Sequence, residues 1–451
     1  MLVYKEGKVQ NQIYADFFVK ETSFPNEAKA AEQYLEVLSD SIRKKIKGFD
    51  GSRIGFFLSG GLDSSANVAL ASGSGLRGSK TFGIGFKDPK IDERPSARIV
   101  ADYFGASFHE YVFDGSEIGD LPSMVWHLDE PFMENGLFLT YAGFKAANSQ
   151  VDLVIAGDGA DQIYGTGGFA EGRPIALRYL LDKFHCRSLV DKLRKAFFHP
   201  PYKDNLLFKS KVLIDRTVDF NDWFFWGFDD NELVQLCNFS FDRDSLRCFS
   251  NDVRYIPKTL AGYYQHALVH QDLEHYAFQN VLYKSFRMAE MFGIKLREAY
   301  MDKDVIEYVL STDFRLKTKG SLWDFLKGKR VTKYLHRLSM ERVLPGEVLA
   351  KPKQGGFVPM TFLLRNPLVR GKVFDYLTYH NPLNEYLNLP FIKTLFRNYE
   401  QSLIRNPYWQ AQQESKANQI MNILALSLWY EIIGKGKYTN APQRSLVEFI
   451  G

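Results

Sequence analysis

Apolar and polar positions alternate in two rhythms along the first third of the chain. Between Glu27 and Ile46 the apolar residues Ala31, Tyr34, Leu35, Val37, Leu38, Ile42 and Ile46 keep the three-and-four spacing of one helix face. Asn26 stands where a side chain caps the first free N–H groups. The run from Ile54 to Leu58 is continuously apolar and ends at Ser59-Gly60-Gly61, which predicts a buried strand and a turn. Helical spacing resumes at Ser65, Ala66, Val68, Ala69, Leu70 and Ala71. The same alternation predicts strands at Thr81 to Phe86, Phe108 to Phe113 and Val151 to Ala156. It predicts helices at Glu93 to Phe104, Glu117 to Leu128 and Leu137 to Ala147. Strands alternating with helices read as a doubly wound, mostly parallel α/β sheet.

Ahead of this core, residues 1–25 read as an extended arm with a hairpin around Glu6-Gly7. Beyond residue 170 the strand signal fades. Residues 173–255 are aromatic-rich and irregular, Val218 to Trp226 above all, and read as a helical packing region. Helical patterns return over Lys258 to Ser311, Leu322 to Leu344 and Pro367 to Gly434, with a boundary at Pro407. The pattern divides the chain into an arm of residues 1–25, an α/β core of residues 26–170 and a largely helical C-terminal extension, residues 171–451.

Composition narrows the function class. With 451 residues, 45% of them hydrophobic and 15% aromatic, the chain can bury large cores. A net charge of +4 over this length gives no argument for a nucleic-acid or membrane partner. Cys186, Cys237 and Cys248 lie far apart with no CxxC, which suits a reducing, cytoplasmic setting and argues against a cysteine zinc site. The charged N-terminus is no signal peptide, and the longest apolar segment, Ile420 to Ile433, is too short to span a bilayer.

Two glycine-rich turns carry the candidate chemistry. In Ser59-Gly60-Gly61-Leu62-Asp63-Ser64-Ser65, a turn from strand to helix offers backbone N–H groups and three hydroxyls to an anion, and Asp63 offers a carboxylate to a hard cation. It is not a Walker loop, since no lysine follows the glycines. The Walker-like Gly73 to Lys80 has its lysine one residue late and precedes a strand. The second turn, Gly157-Asp158-Gly159-Ala160-Asp161-Gln162, follows another strand and brings two acids that would repel unless a cation lies near. His266, His270 and Glu274 sit one helical turn apart, a conceivable zinc spacing that a packed helix face explains better.

The first turn resembles the pyrophosphate loop of ATP pyrophosphatases. Together the two turns resemble the synthetase domain of asparagine synthetases, whose relatives include β-lactam synthetases and lasso-peptide cyclases. Supporting elements are Thr81 to Phe86, Asp92-Glu93 with Ser96-Ala97-Arg98, Asp129-Glu130-Pro131, Gly293 to Arg297 with Asp302, and Lys351-Pro352-Lys353-Gln354-Gly355-Gly356-Phe357-Val358-Pro359. The helix ending Leu428-Trp429-Tyr430 resembles the terminal tryptophan helix, so the resemblance runs from Glu27 to Gly434. Departures are Gln162 for a usual Glu, Ala156 for a usual Ser, Lys284 for an expected Asp, Lys295 for an expected Glu, and the extra glycine at Gly355-Gly356.

The resemblance implies an adenine nucleotide alpha hydrolase-like fold and an ATP-dependent ligase. A carboxylate would be adenylated with release of pyrophosphate, then passed to ammonia or an amine with release of AMP. On the matching positions, Ser59, Gly60, Gly61, Asp63, Ser64 and Ser65 would cradle pyrophosphate. Leu58, Ile84 and Gly157 would contact adenosine. Asp63 and Asp161 would hold Mg2+, Lys353 would be the catalytic lysine, and Asp158 would stand near the acyl group. Lys333 is a further candidate for a phosphate contact. Intramolecular amide formation, giving a macrolactam or β-lactam, and a non-catalytic scaffold are the competing readings. Glutamine-hydrolysing members begin with a nucleophilic cysteine after Met1 and a long glutaminase domain. Here residue 2 is Leu, so this chain is expected not to use glutamine alone. The arm of residues 1–25 reads as a leftover connector or a docking strand for a separate glutaminase.

Overall fold

The computed structural model describes residues 2–11, 26–89, 91–166, 172–197, 205–218, 227–228, 230–240, 257–351, 358, 360–405 and 411–451. Strands β1 (Leu2–Lys5) and β2 (Lys8–Asn11) form an antiparallel hairpin that turns at Glu6 and Gly7, as the sequence predicts. Helix α1 (Glu27–Ile46) starts where Asn26 accepts from the Lys29 N–H at 2.8 Å, and it buries Ala30, Ala31, Tyr34, Leu38 and Ile42 along one face.

Then follow β3 (Ile54–Phe57), α2 (Leu62–Gly73), β4 (Lys80–Phe86), α3 (Arg94–Phe104) and β5 (Ser107–Phe113). After them come α4 (Leu121–Leu128), α5 (Leu137–Ala147), β6 (Leu153–Ala156), α6 (Ala160–Ile163) and β7 (Lys295–Glu298). The five strands pair in parallel in the order β5-β4-β3-β6-β7. Succession runs outward from β3 to β5 on one side and from β6 to β7 on the other. The order therefore reverses between β3 and β6, where a crevice opens at the carboxyl ends of the strands. Both glycine turns leave from those two strands.

The continuous apolar runs have a plain cause: both sheet faces are covered. Along β6, Leu153 and Ile155 join one core with Ile54, Phe56, Tyr34 and Tyr300. Val154 and Ala156 join the other, with Phe82, Phe138, Phe144 and the helix at Ala411–Trp429. Alternate residues of a strand point to opposite faces, so a strand buried on both sides shows no polar alternation.

The sheet takes its last strand from far along the chain. The helical pattern over Lys258 to Ser311 is interrupted by β7, whose four residues pair with β6 from Leu153↔Lys295 to Ala156↔Glu298. Three of those four residues are charged, so neither strand nor helix periodicity marks them; pairing with the exposed edge of β6 decides. The α/β layer thus extends past residue 170, and the helical extension packs on both of its faces. Between the helices Leu260–Ala267 and Tyr283–Met291 the chain winds as a π-helix over Leu268–Leu282, a widened coil absent from the sequence reading. The expected helix at Glu117 begins as a 3₁₀ turn, Ser116–Asp120, before α4. Among the described residues no helix is long and apolar enough to cross a membrane.

Candidate functional site

The first glycine turn is held by its own hydroxyls and by its neighbours. Leu58, 1% exposed, extends the β3–β4 ladder by donating to the Phe82 carbonyl at 3.0 Å. Ser59 N–H donates to Ser64 Oγ at 3.2 Å, the two hydroxyl oxygens lie 3.1 Å apart, and Gly61 N–H donates to Ser59 Oγ at 3.2 Å. Helix α2 starts at Gly61 without a side-chain cap, which leaves its first N–H groups free for an anion. Ser65 is fully buried behind the turn.

Gly60 has φ +67°, and a Cβ there would lie 2.4 Å from the Ser96 carbonyl carbon and 2.6 Å from Ala97 N. Both obstacles are backbone atoms of α3, which cannot swing aside. Gly60→Ala is expected to cost about 2 kcal/mol or more, the left-handed conformation alone accounting for about 1–2 kcal/mol. Chemical denaturation measures the loss; a variant as stable as the parent would show that the turn adopts another path.

The second turn lies alongside the first. A Cβ on Gly157 would stand 3.5 Å from Ser64 N, and Asn67 Nδ2 of α2 donates to the Ala156 carbonyl at 2.8 Å. Asp63, in the first turn of α2, and Asp161, in α6, converge on one ammonium. Lys333 Nζ is 2.5 Å from Asp63 Oδ2 and 2.8 Å from Asp161 Oδ1. Lys333 sits at the start of the helix Tyr334–Met340 with φ +53°, a strained conformation for a lysine that its two ion pairs hold in place. On the far side of Asp63, His336 Nε2 lies 3.4 Å from Oδ1, and Tyr300 OH donates to the Asp63 carbonyl at 2.9 Å. Thr166 Oγ1 donates to Asp161 Oδ1.

The electrostatics follow from these contacts. Burial pushes the Asp63 carboxyl upward, but the Lys333 ammonium and His336 outweigh it and hold the group well below the usual carboxylate range. Burial pulls the Lys333 ammonium down, while Asp161 and Asp63 pull harder and raise it. Burial lowers His336 and favours its neutral form. Asp63 Oδ1 is buried and lacks a hydrogen-bond partner of normal geometry. Two carboxylates, one with an unsatisfied oxygen, fit a hard dication, for which few protein oxygens suffice.

Asp158 accepts from Ser285 Oγ at 2.5 Å, and burial raises its pKa against the pull of Lys284 and Ser285. Ile84 lies partly exposed on β4. Lys353 lies outside the described residues, as do residues 352–357 around it. The amino-terminal flank of that segment is tied to the first glycine turn. Lys351 Nζ donates to the Ser59 carbonyl at 2.9 Å and pairs with Glu93 at 3.3 Å. At the other end, Val358 N–H donates to the Asn135 carbonyl at 3.0 Å, and the buried Glu414 accepts from Met360 N–H at 2.6 Å and Thr361 N–H at 3.2 Å.

Lys351, His336, Tyr300 and Glu414 escape the sequence reading. A lysine two places before the proposed catalytic one was a usable signal for the first; nothing in the local pattern marks the others. The Walker-like segment ends at the opposite, amino edge of the sheet, where Lys80 Nζ donates to the Ser52 and Gln150 carbonyls. His270 Nδ1 is 2.9 Å from Glu274 Oε2; the His266 ring lies tilted against that of His270, its centroid 4.7 Å away, and burial lowers the His266 pKa to about 4. Among the described residues no three metal-binding side chains converge.

This arrangement has relatives. A family profile described as asparagine synthase matches residues 33–431. The chain is 24% identical over 424 residues to "Asparagine synthetase (glutamine-hydrolyzing) 1" of Bacillus subtilis, which covers 91% of this chain and 61% of that protein. It is 28% identical over 352 residues to "Putative asparagine synthetase (glutamine-hydrolyzing)" of Mycobacterium bovis, covering 75% of this chain and 50% of the other. The chain therefore spans between half and two thirds of the length of these relatives. A match that begins inside α1 and ends past Trp429 takes in both glycine turns and every strand of the five-stranded sheet, and it assigns this chain to the asparagine synthase family.

Proposed function

We propose that this chain is an ATP-dependent ligase that adenylates a substrate carboxylate and transfers the acyl group to ammonia or an amine. The observation that carries this reading is the convergence of Asp63, Asp161 and Lys333 on one point beside the uncapped start of α2, at the crevice between β3 and β6. The substrate carboxylate attacks the α-phosphorus of ATP, and pyrophosphate leaves. The free N–H groups at the start of α2, with the hydroxyls of Ser59 and Ser64, are placed to receive the leaving group's negative charge. Lys333 adds a buried positive charge to the same place. Mg2+ held by Asp63 and Asp161 would supply electrostatic stabilisation of the phosphate oxygens. Leu58, Ile84 and Gly157 would contact adenosine. Lys353 would carry charge stabilisation at the α-phosphate from the segment that Lys351 and Glu414 anchor. Asp158, on the second turn, would face the acyl group and the incoming amine.

Incubation of the chain with ATP, magnesium and a panel of carboxylic acids, L-aspartate first, is expected to release AMP and pyrophosphate in equal amounts once ammonium is added. ADP and phosphate as products would overturn the reading. The same assay with glutamine, glutamine plus a separate glutaminase, or ammonium identifies the source of nitrogen.

A further inference from the structure

Lys351 does more than anchor the segment that follows it. It comes directly after the short helix Gly346–Ala350, and its ammonium reaches back to donate to the Ser59 carbonyl at 2.9 Å. The same Nζ lies 3.3 Å from Glu93 Oε1, and the two side chains are 13% and 19% exposed. Holding a long lysine side chain still costs rotamer entropy that an exposed ion pair rarely repays. Here the pair is largely shielded from water. Glu93 directly precedes α3, and burial raises its pKa against the pull of Lys351. Its neighbour Asp92 is engaged with Arg94 at 2.9 Å, so Glu93 is the acid that faces the lysine.

The carbonyl that Lys351 binds belongs to the peptide joining Ser59 to Gly60. That peptide is trans, and in a planar trans peptide the C=O and the N–H point in opposite directions. A carbonyl pinned by Lys351 therefore sends the Gly60 N–H to the other side of the turn. On either side of it, the Ser59 and Gly61 N–H groups are taken by the hydroxyls of Ser64 and Ser59. Gly60 is buried, yet its N–H donates to no group among the described residues. Buried backbone N–H groups are nearly always paired, so this one fits an acceptor that a ligand brings. Donation to the carbonyl also polarises the peptide, which strengthens its N–H as a donor.

We propose that Lys351, held by Glu93, is a positioning residue for pyrophosphate: it fixes the Ser59–Gly60 peptide so that the Gly60 N–H donates to a phosphate oxygen of the leaving group. The proposal rests on the adenylating reading above and adds a residue to its pyrophosphate cradle. Lys351 acts through the backbone and does not itself touch the phosphate, because its ammonium is already spent on a carbonyl and a carboxylate. Glu93 keeps that ammonium on the carbonyl when a more strongly charged anion arrives in the turn.

The chain allows a direct test, because its Ser-Gly steps are Ser59-Gly60, Ser72-Gly73 and Ser74-Gly75. The full chain, made by cell-free synthesis with carbonyl-13C serine and 15N glycine, gives an amide NMR signal for each of these glycines alone. Magnesium pyrophosphate is expected to shift the Gly60 signal and to leave those of Gly73 and Gly75, at the far end of α2 and about 18 Å along its axis, in place. Calorimetric titration with magnesium pyrophosphate is expected to give a Kd at least about tenfold higher for Lys351→Met, the loss of about one charge-assisted contact. Lys351→Arg keeps a donor for the Ser59 carbonyl and is expected to bind within about threefold of the wild type. Equal constants for Lys351→Met and the wild type, or a Gly60 signal that stays put while pyrophosphate binds, would overturn the proposal. Glu93→Gln is a second variant, milder to folding, and is expected to weaken binding about two- to threefold by loosening the ammonium. Tighter binding in Glu93→Gln would show that the freed ammonium serves the phosphate directly, and would overturn the positioning role. Neither measurement needs turnover. Release of ADP from ATP would defeat the adenylating reading, and the pyrophosphate titrations would still judge Lys351.

Discussion

Lys333→Met is expected to lower stability by about 3–5 kcal/mol and amide formation by at least about 100-fold. Methionine keeps the apolar stem that packs at the site but removes the ammonium. The Lys333 side chain is 6% exposed, against 23% for Asp63 and 34% for Asp161, so water cannot replace the lost charge fully. Two carboxylates then face each other with His336 as their nearest substitute. Breaking a buried pair on one side costs more than the pair contributes, because the orphaned charge remains.

The pH dependence of unfolding makes the prediction specific. In the wild type the folded pKa of Asp63 is depressed, so its contribution is present above about pH 4 and is lost as pH falls below that value. The folded pKa of Lys333 is raised, so its contribution is present below the ordinary lysine range and is lost as pH climbs through the folded value. In Lys333→Met the facing carboxylates lose their partner and their pKa values rise. Acidification from neutral pH toward about pH 5 should therefore stabilise the variant relative to the wild type. Denaturant titrations across that range measure both slopes. The double variant Lys333→Met/Asp63→Asn is expected to regain most of the lost stability and none of the lost activity. Recovery of both, or a pH profile parallel to the wild type, would show that the three side chains do not act as one charged unit.

How far this site can be read without coordinates depends on what marks each residue locally. Asp63 and Asp161 are legible because each follows a glycine turn that ends a strong apolar run, so strand, turn and acid are read together. The crevice between β3 and β6 follows from the same runs, since the winding of a parallel sheet places both turns on one edge. Lys333 is half legible. It lies among basic residues, where a lysine ordinarily faces water, and only its left-handed backbone and the carboxylates of two distant elements turn it inward. β7 is illegible because an edge strand with Leu296 as its one apolar residue has too few apolar positions to show a period. Glu298 is illegible for the same reason, as an acid in a charged tetrapeptide gives no sign of burial. The π-helix at Leu268–Leu282 keeps the polar and apolar composition of an α-helix, so no local pattern marks its widened coil. Local periodicity reports what one element buries; it is silent on groups that several elements bring to one point.

Asp63→Asn and Asp161→Asn are each expected to lower amide formation by about 10²–10³-fold, the loss that follows removal of one preorganised electrostatic contact to a transition state. The change keeps shape and removes charge, so it separates electrostatics from packing. Asp63 meets Lys333 and His336 from a side chain more buried than that of Asp161, and in Asp63→Asn the introduced amide would set an N–H against one of those donors. Asp63→Asn is therefore expected to be the less stable variant of the two. If one dication is shared by the two carboxylates, both variants should need more magnesium for half-maximal pyrophosphate release, and a chelator should abolish turnover in the wild type. The double variant should then lose little more than either single one, because a shared ligand pair fails as a unit. Additive losses would assign the two acids to separate tasks. A single variant with near-normal rate at limiting magnesium would remove that acid from the proposed ligand pair.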